Sequence, residues 1–207
     1  MSIEAWAFRR LDEDDDAAFY SFPRRVVHID DGAIAALTGL YAQLVPAAGR
    51  VLDLMSSWRS HLPPGFAGHA TGLGLNAVEM AENPQLADAI VHDLNRVPAL
   101  PFPDATFDAV VCAVSIQYLT RPLDVFRDVR RVLRPNAPFV LGFSNRCFPD
   151  KAVAVWRAAD DQQHVDIVSA YFAESAEPAG GWTPVETIAH LPPLGDPLYA
   201  VWARRAG

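Results

Sequence analysis

Arg50-Val51-Leu52-Asp53-Leu54-Met55-Ser56-Ser57-Trp58-Arg59 is the stretch on which the fold turns. Its first half is a short apolar run carrying a carboxylate, the pattern of a strand buried on both faces. Its second half stands where a tight glycine-rich turn into a helix is expected, yet it holds no glycine. Pro63-Pro64 follows and limits any helix there to one or two turns. Residues 68–75 then read as a second strand. The frame is strand, loop, strand; the residues filling the loop are unusual.

Downstream of this unit the pattern alternates. Asn76-Ala77-Val78-Glu79 resembles a capping box with Asn in the Ser/Thr position, opening a helix that stops near Pro84. Ala89-Ile90-Val91-His92 is a third strand with Asp93 beyond it, and 108–115 is an apolar, β-branched central strand. Leu123, Phe126, Val129, Val132 and Leu133 give a helix ending before Pro135, and 138–143 is a fifth strand. A helical stretch over 151–175 ends at Gly180-Gly181. Two strands, 182–190 and 197–204, then flank the loop Leu191-Pro192-Pro193-Leu194-Gly195-Asp196.

Upstream, Asp30 or Asp31 caps a helix whose apolar face is Ile34, Leu37, Leu40, Tyr41, Leu44 and Val45. Residues 1–30 form an arm or lid with a solvated acidic run at 12–16, and 31–207 form the domain. The alternation predicts an α/β fold, a doubly wound, mostly parallel, seven-stranded Rossmann-like sheet with an antiparallel C-terminal hairpin.

Composition narrows the function classes. Hydrophobic residues make up 51% of the 207 and charged ones 20%, as in a globular domain. No apolar run spans a bilayer, and Met1-Ser2-Ile3-Glu4-Ala5-Trp6 has no signal-peptide pattern, so a cytoplasmic protein with no membrane partner is expected. A net charge of −8 argues against nucleic acid as a partner. Cys112 and Cys147 lack metal-site spacing, so neither a disulfide scaffold nor a metal centre is expected. Composition leaves the oligomeric state open.

In a doubly wound sheet, ligands bind outside the carboxyl ends of the strands. Residues 53–58, 75–76, 93–95, 114–118 and 144–146 are therefore expected to converge on one cleft. Three segments occur in a telling order: Val51-Leu52-Asp53-Leu54, then Leu100-Pro101-Phe102-Pro103-Asp104-Ala105-Thr106-Phe107-Asp108, then Val132-Leu133-Arg134-Pro135. Together they resemble class I S-adenosylmethionine-dependent methyltransferases, in particular the small-molecule group similar to the ubiquinone-biosynthesis enzymes.

The resemblance implies an enzyme using S-adenosyl-L-methionine and a small-molecule methyl acceptor. Asp53, Leu54, Met55, Ser56 and Ser57 would face the amino-acid end of the cofactor, and Leu75 and Asn76 the ribose and adenine. Asp93 would accept from the adenine amine with Leu94 covering the ring, and Ser115 and Gln117 would line the methyl-donor end. Tyr20, Arg24 and His28 would come from an N-terminal segment that folds over the cleft in this family. Tyr118, Asn145 and Arg146 complete the substrate-side candidates.

Two positions depart from that pattern. The loop 55–58 lacks the glycines that let backbone approach a cofactor. Gly74, 21 positions after Asp53, stands where a carboxylate would bind the ribose hydroxyls. Blander readings stand beside the functional ones: Asp53 as a loop cap, Asp93 as a turn residue, Trp58 as core or lid, Gln117-Tyr118 as helix-start residues, His28 and His61 as structural histidines. No residue identifies itself as a catalytic base. The alternative function is a catalytically inactive binding or regulatory module on the same fold. A nicotinamide-dependent oxidoreductase fits poorly, because the first strand is not followed by G-x-G-x-x-G.

Overall fold

A computed structural model describes residues 5–176 and 181–207. Met1–Glu4, part of the leader reading, and Gly180, half of the expected helix breaker, lie outside the described residues. Strands β1 (Arg50–Leu54), β2 (His69–Gly74), β3 (Asp88–Val91), β4 (Ala109–Ala113) and β5 (Pro138–Phe143) run parallel. β6 (Glu186–His190) and β7 (Leu198–Arg204) close one edge antiparallel. The order is β3-β2-β1-β4-β5-β7-β6, the seven-stranded sheet expected from the alternation. Chain direction along the sheet reverses between β1 and β4, which creates the crevice where such folds bind ligands.

The helices are α1 (Asp16–Phe19), α2 (Asp31–Leu44), α3 (Ala77–Ala81), α4 (Pro122–Val132), α5 (Ala154–Arg157) and α6 (Asp161–Ser175). Asp30 caps α2 by accepting from the Ala33 amide, and Leu37 and Tyr41 pack on Val51, Val111 and Val140. On the opposite face α4 and α6 bury Phe126 and Phe172 against Phe139, with ring centroids 4.9–5.7 Å apart. Helices on both faces explain why β1, β4, β5 and β7 are buried almost throughout.

The Leu-Pro-Phe-Pro-Asp segment has a structural cause. The Arg131 guanidinium donates to the Leu100 and Phe102 carbonyls and to Asp104, while Asp128 braces it and accepts from the Leu100 amide. Asp108 accepts from the Arg50 amide and from Arg134, joining the start of β1 to the Val-Leu-Arg-Pro turn. Asn136 there has φ 64°, the left-handed conformation Asn tolerates.

Four local expectations change. The connection 55–68 has no helical turn at all, so the crossover from β1 to β2 is made in coil. The helical stretch 151–175 is two helices, because Asp160 starts α6 with a reciprocal capping box to Gln163. At α3, Asn76 caps the Val78 and Glu79 amides, but the Glu79 side chain does not return to it.

The acidic run is not simply solvated. Lys151, fully buried, donates to the Asp14 carbonyl and pairs with Asp12 at 3.0 Å and Asp16 at 3.2 Å. Arg10 grips both oxygens of Asp16. A buried ammonium needs such partners, and the arm supplies them.

Candidate active site

The carboxyl ends of β1 to β4 and the arm line a solvent-open cleft. Its floor is a rebuilt loop. Asp53 is buried, and its Oδ2 accepts from the Ser56 and Ser60 hydroxyls, both at 2.6 Å. Asn83 donates to the Ser60 hydroxyl and to the Ser57 carbonyl, closing the network. Burial raises the Asp53 pKa to about 7, against the pull of the two serines.

Met55 takes φ 58°, the conformation a glycine would have adopted, and the Ser56 amide donates to the Leu73 carbonyl. The loop thus folds onto the end of β2. A β-carbon at Gly74 would collide with the Ser56 carbonyl, so no carboxylate can stand there with this loop path.

The arm covers this floor. Asn76 donates to the Tyr20 carbonyl at 2.8 Å, and the Trp58 indole donates to the Val26 carbonyl at 3.1 Å. Arg25 pairs with both oxygens of Glu82. Glu79 accepts from the Ser57 hydroxyl at 2.5 Å and from the Arg24 amide at 2.6 Å. Asn76, assigned to ribose and adenine, therefore spends its amide on the helix cap and the arm.

At the β3 end, Asp93 accepts from the Asn95 and Arg96 amides through Oδ1 alone, and Leu94 is buried beside it. Asp93 is thus a turn residue with one oxygen still available to the cleft. After β4, Val114 has φ 45°, an outlier for a β-branched residue. Ser115 donates back to the Ala113 carbonyl. Tyr118 accepts from the Phe148 amide and lies 6.2 Å from that ring, while His28 meets Phe148 edge-on at 5.0 Å. Burial lowers the pKa of His28, with Glu79 pulling the other way. Burial, then Arg59, take His61 down to about 4.

Of the sequence-derived residues, Asp53, Met55, Ser56, Ser57, Leu75, Asn76, Asp93, Leu94 and Ser115 line the cleft, as do Tyr20, Arg24, His28 and Tyr118. Four do not. Leu54 is fully buried in the core because alternation along β1 turns it away. Gln117 is buried, donating to the Val114 carbonyl while its backbone oxygen holds the Val153 amide. Arg146 is drawn off by Asp196 at 2.9 Å, and Asn145 is exposed outside the lining. Sequence reasoning missed Phe148, which carried no pattern, and Glu79, whose spacing from Asn76 was that of a capping box.

Among the described residues, no His/Cys/Asp/Glu cluster could hold a metal, and no helix is long and apolar enough to cross a membrane. A family model described as "Methyltransferase domain" matches residues 67–141. The ubiquinone/menaquinone biosynthesis C-methyltransferase UbiE of Roseobacter denitrificans is 36% identical over 114 residues, covering 49% of this chain and 45% of that protein.

The biotin biosynthesis bifunctional protein BioHC of Teredinibacter turnerae is 28% identical over 81 residues, 39% of this chain and 14% of that one. The chain thus spans less than half the length of either relative. Among solved structures, an S-adenosylmethionine-dependent methyltransferase from Mesorhizobium loti superposes with a TM-score of 0.55 at 17% identity, over 84% of this chain and 99% of that one. The cyclase SpnF gives 0.59 at 15% identity, over 92% and 91%. Those two show a shared fold, and the cyclase shows that this fold hosts more than one reaction. The motif order, the family model over residues 67–141 and the UbiE relative support a class I S-adenosylmethionine-dependent methyltransferase.

Proposed function

We propose that the protein transfers a methyl group from S-adenosyl-L-methionine to a small-molecule acceptor in the covered cleft. The observation that carries this reading is Asp93 Oδ2, left without a hydrogen-bond partner among the described residues, on a residue that lines the cleft beside Leu94 at the carboxyl end of the sheet. That oxygen suits an adenine amine, and Leu94 an adenine face. The glycine loop is replaced by Ser56 and Ser57, whose hydroxyl protons are spent on Asp53 and Glu79, so what the pair keeps for the methionine end is acceptor capacity on their oxygens.

Bound there, the cofactor supplies an electrophilic methyl group. The chain's own part is positioning and the exclusion of water. Tyr20, Val26 and Trp58 roof the cleft. Phe148 and Tyr118 give the acceptor a planar apolar wall, and His28 beside them is neutral at pH 7, able to take a proton on a ring nitrogen.

Met55, His61 and Val114 all line the cleft with positive φ. Strain of this kind persists where surrounding structure holds it, and it supports a working site over an inactive module. The test is calorimetry with S-adenosylmethionine and S-adenosylhomocysteine. We expect dissociation constants below about 100 µM, and ligand at about 100 times that constant should raise the unfolding midpoint by about 5–10 °C. No heat from either ligand at millimolar concentration overturns the proposal.

A further inference from the structure

Glu79, on α3 just after the end of β2, is one of four carboxylates that line the cleft. Asp53 is turned down onto its serines, Asp16 is held by Arg10 and Lys151, and Asp93 sits at the end of β3. At β2 itself the Ser56 carbonyl occupies the place of any side chain on Gly74. Five residues on, at the third position of α3, Glu79 follows a capping Asn76. A glutamate there ordinarily folds back to its own helix. This one reaches out to the Ser57 hydroxyl at 2.5 Å and the Arg24 amide at 2.6 Å, one from the floor and one from the arm. Those contacts use two of the roughly four acceptor positions of a carboxylate, leaving room for two hydroxyl donors.

We infer that Glu79 takes over the diol-binding role denied to position 74, accepting hydrogen bonds from vicinal hydroxyls of a bound nucleoside while holding Arg24 of the arm. The inference rests on the cofactor reading above. It makes ribose binding and arm closure share one carboxylate, so a ligand lacking the diol loses affinity at this residue and nowhere else.

The experiment is calorimetric titration of the wild-type chain and Glu79→Gln with S-adenosylhomocysteine and with its 2′,3′-dideoxy analogue. Gln keeps the length and an acceptor for the Arg24 amide, and apo unfolding midpoints check that the variant is folded. The wild type should prefer the diol by about thirtyfold, from two charge-assisted bonds, and Glu79→Gln should cut that preference to about threefold. Affinity for the dideoxy analogue should stay within about twofold.

A variant that keeps the full preference, or that loses both ligands equally, overturns the inference; the latter would leave Glu79 as a latch for the arm. If Glu79→Gln does not fold, Glu79→Asp withdraws the carboxylate by one methylene and must weaken the preference. A wild type that binds both ligands equally also overturns it while leaving the cofactor reading intact. A wild type that binds neither overturns the cofactor reading itself.

Discussion

Asp53 sits at the centre of the rebuilt floor, and its titration is a handle on it. Burial raises its pKa from an ordinary 3.8 to about 7. Between those values the folded protein keeps a proton that the unfolded chain releases. Stability contributed at this site therefore falls as pH rises through that window, and the loss is complete above it. Asp53→Asn keeps an acceptor for Ser56 and Ser60 but does not titrate. Its unfolding midpoint, measured against wild type, should gain steadily from pH 4 to pH 8; parallel curves would refute the assignment. Gly74 offers a steric test. Gly74→Ala forces the Ser56 carbonyl aside and should cost about 3 kcal/mol, lowering the midpoint by about 8 °C in a thermal melt. The places of Asp53 and Asp93 in the cleft were legible in the sequence because they stand at the carboxyl ends of strands, Asp53 within β1 and Asp93 beyond β3. Glu79 was hidden, because the spacing that makes a capping box is the same whether or not the side chain folds back.

Crossover, cap and arm were legible to different degrees. Pro63-Pro64 announced a damaged helix, and the outcome is a coil held by Asp53, Ser60 and Asn83 instead of by a helical ladder. The break at Asp160 went unread because an Asp inside an apolar period does not by itself end a helix. The arm's acidic run read as solvated, since its partner lies more than 130 residues away in Lys151. That pairing yields a prediction. Lys151→Met leaves Asp12 without its ammonium and should destabilise the arm's attachment by about 3 kcal/mol. Limited proteolysis should then cut within residues 9–30 well before the domain unfolds, and unchanged protection there would count against the clamp. Core strands should be indifferent to the change, because β4 and β5 are buried and the bonds of Lys151 and Arg10 to Asp12, Asp14 and Asp16 do not involve them.

Seen whole, the molecule is a sheet whose two sides are covered early in the chain by α2 and late by α4 and α6, with the cleft left at the carboxyl edge. Closure of that cleft is spread over Asn76, Trp58, Glu79 and Glu82, each holding a different arm residue. Cofactor binding should therefore slow amide exchange across residues 20–28 together, while β4 and β5 exchange at unchanged rates. Equal slowing everywhere would mean global stabilisation and no arm closure. Strand number, sheet class and the carboxyl-edge location of the cleft followed from the sequence alone, because they depend on the spacing of apolar residues and on handed, short connections. The fitted site did not. The Ser56 carbonyl over Gly74, Glu79 against Arg24 and Lys151 under Asp12 are encounters between distant segments. They are set by how backbones approach in the packed state, and that approach leaves no period in the chain to read.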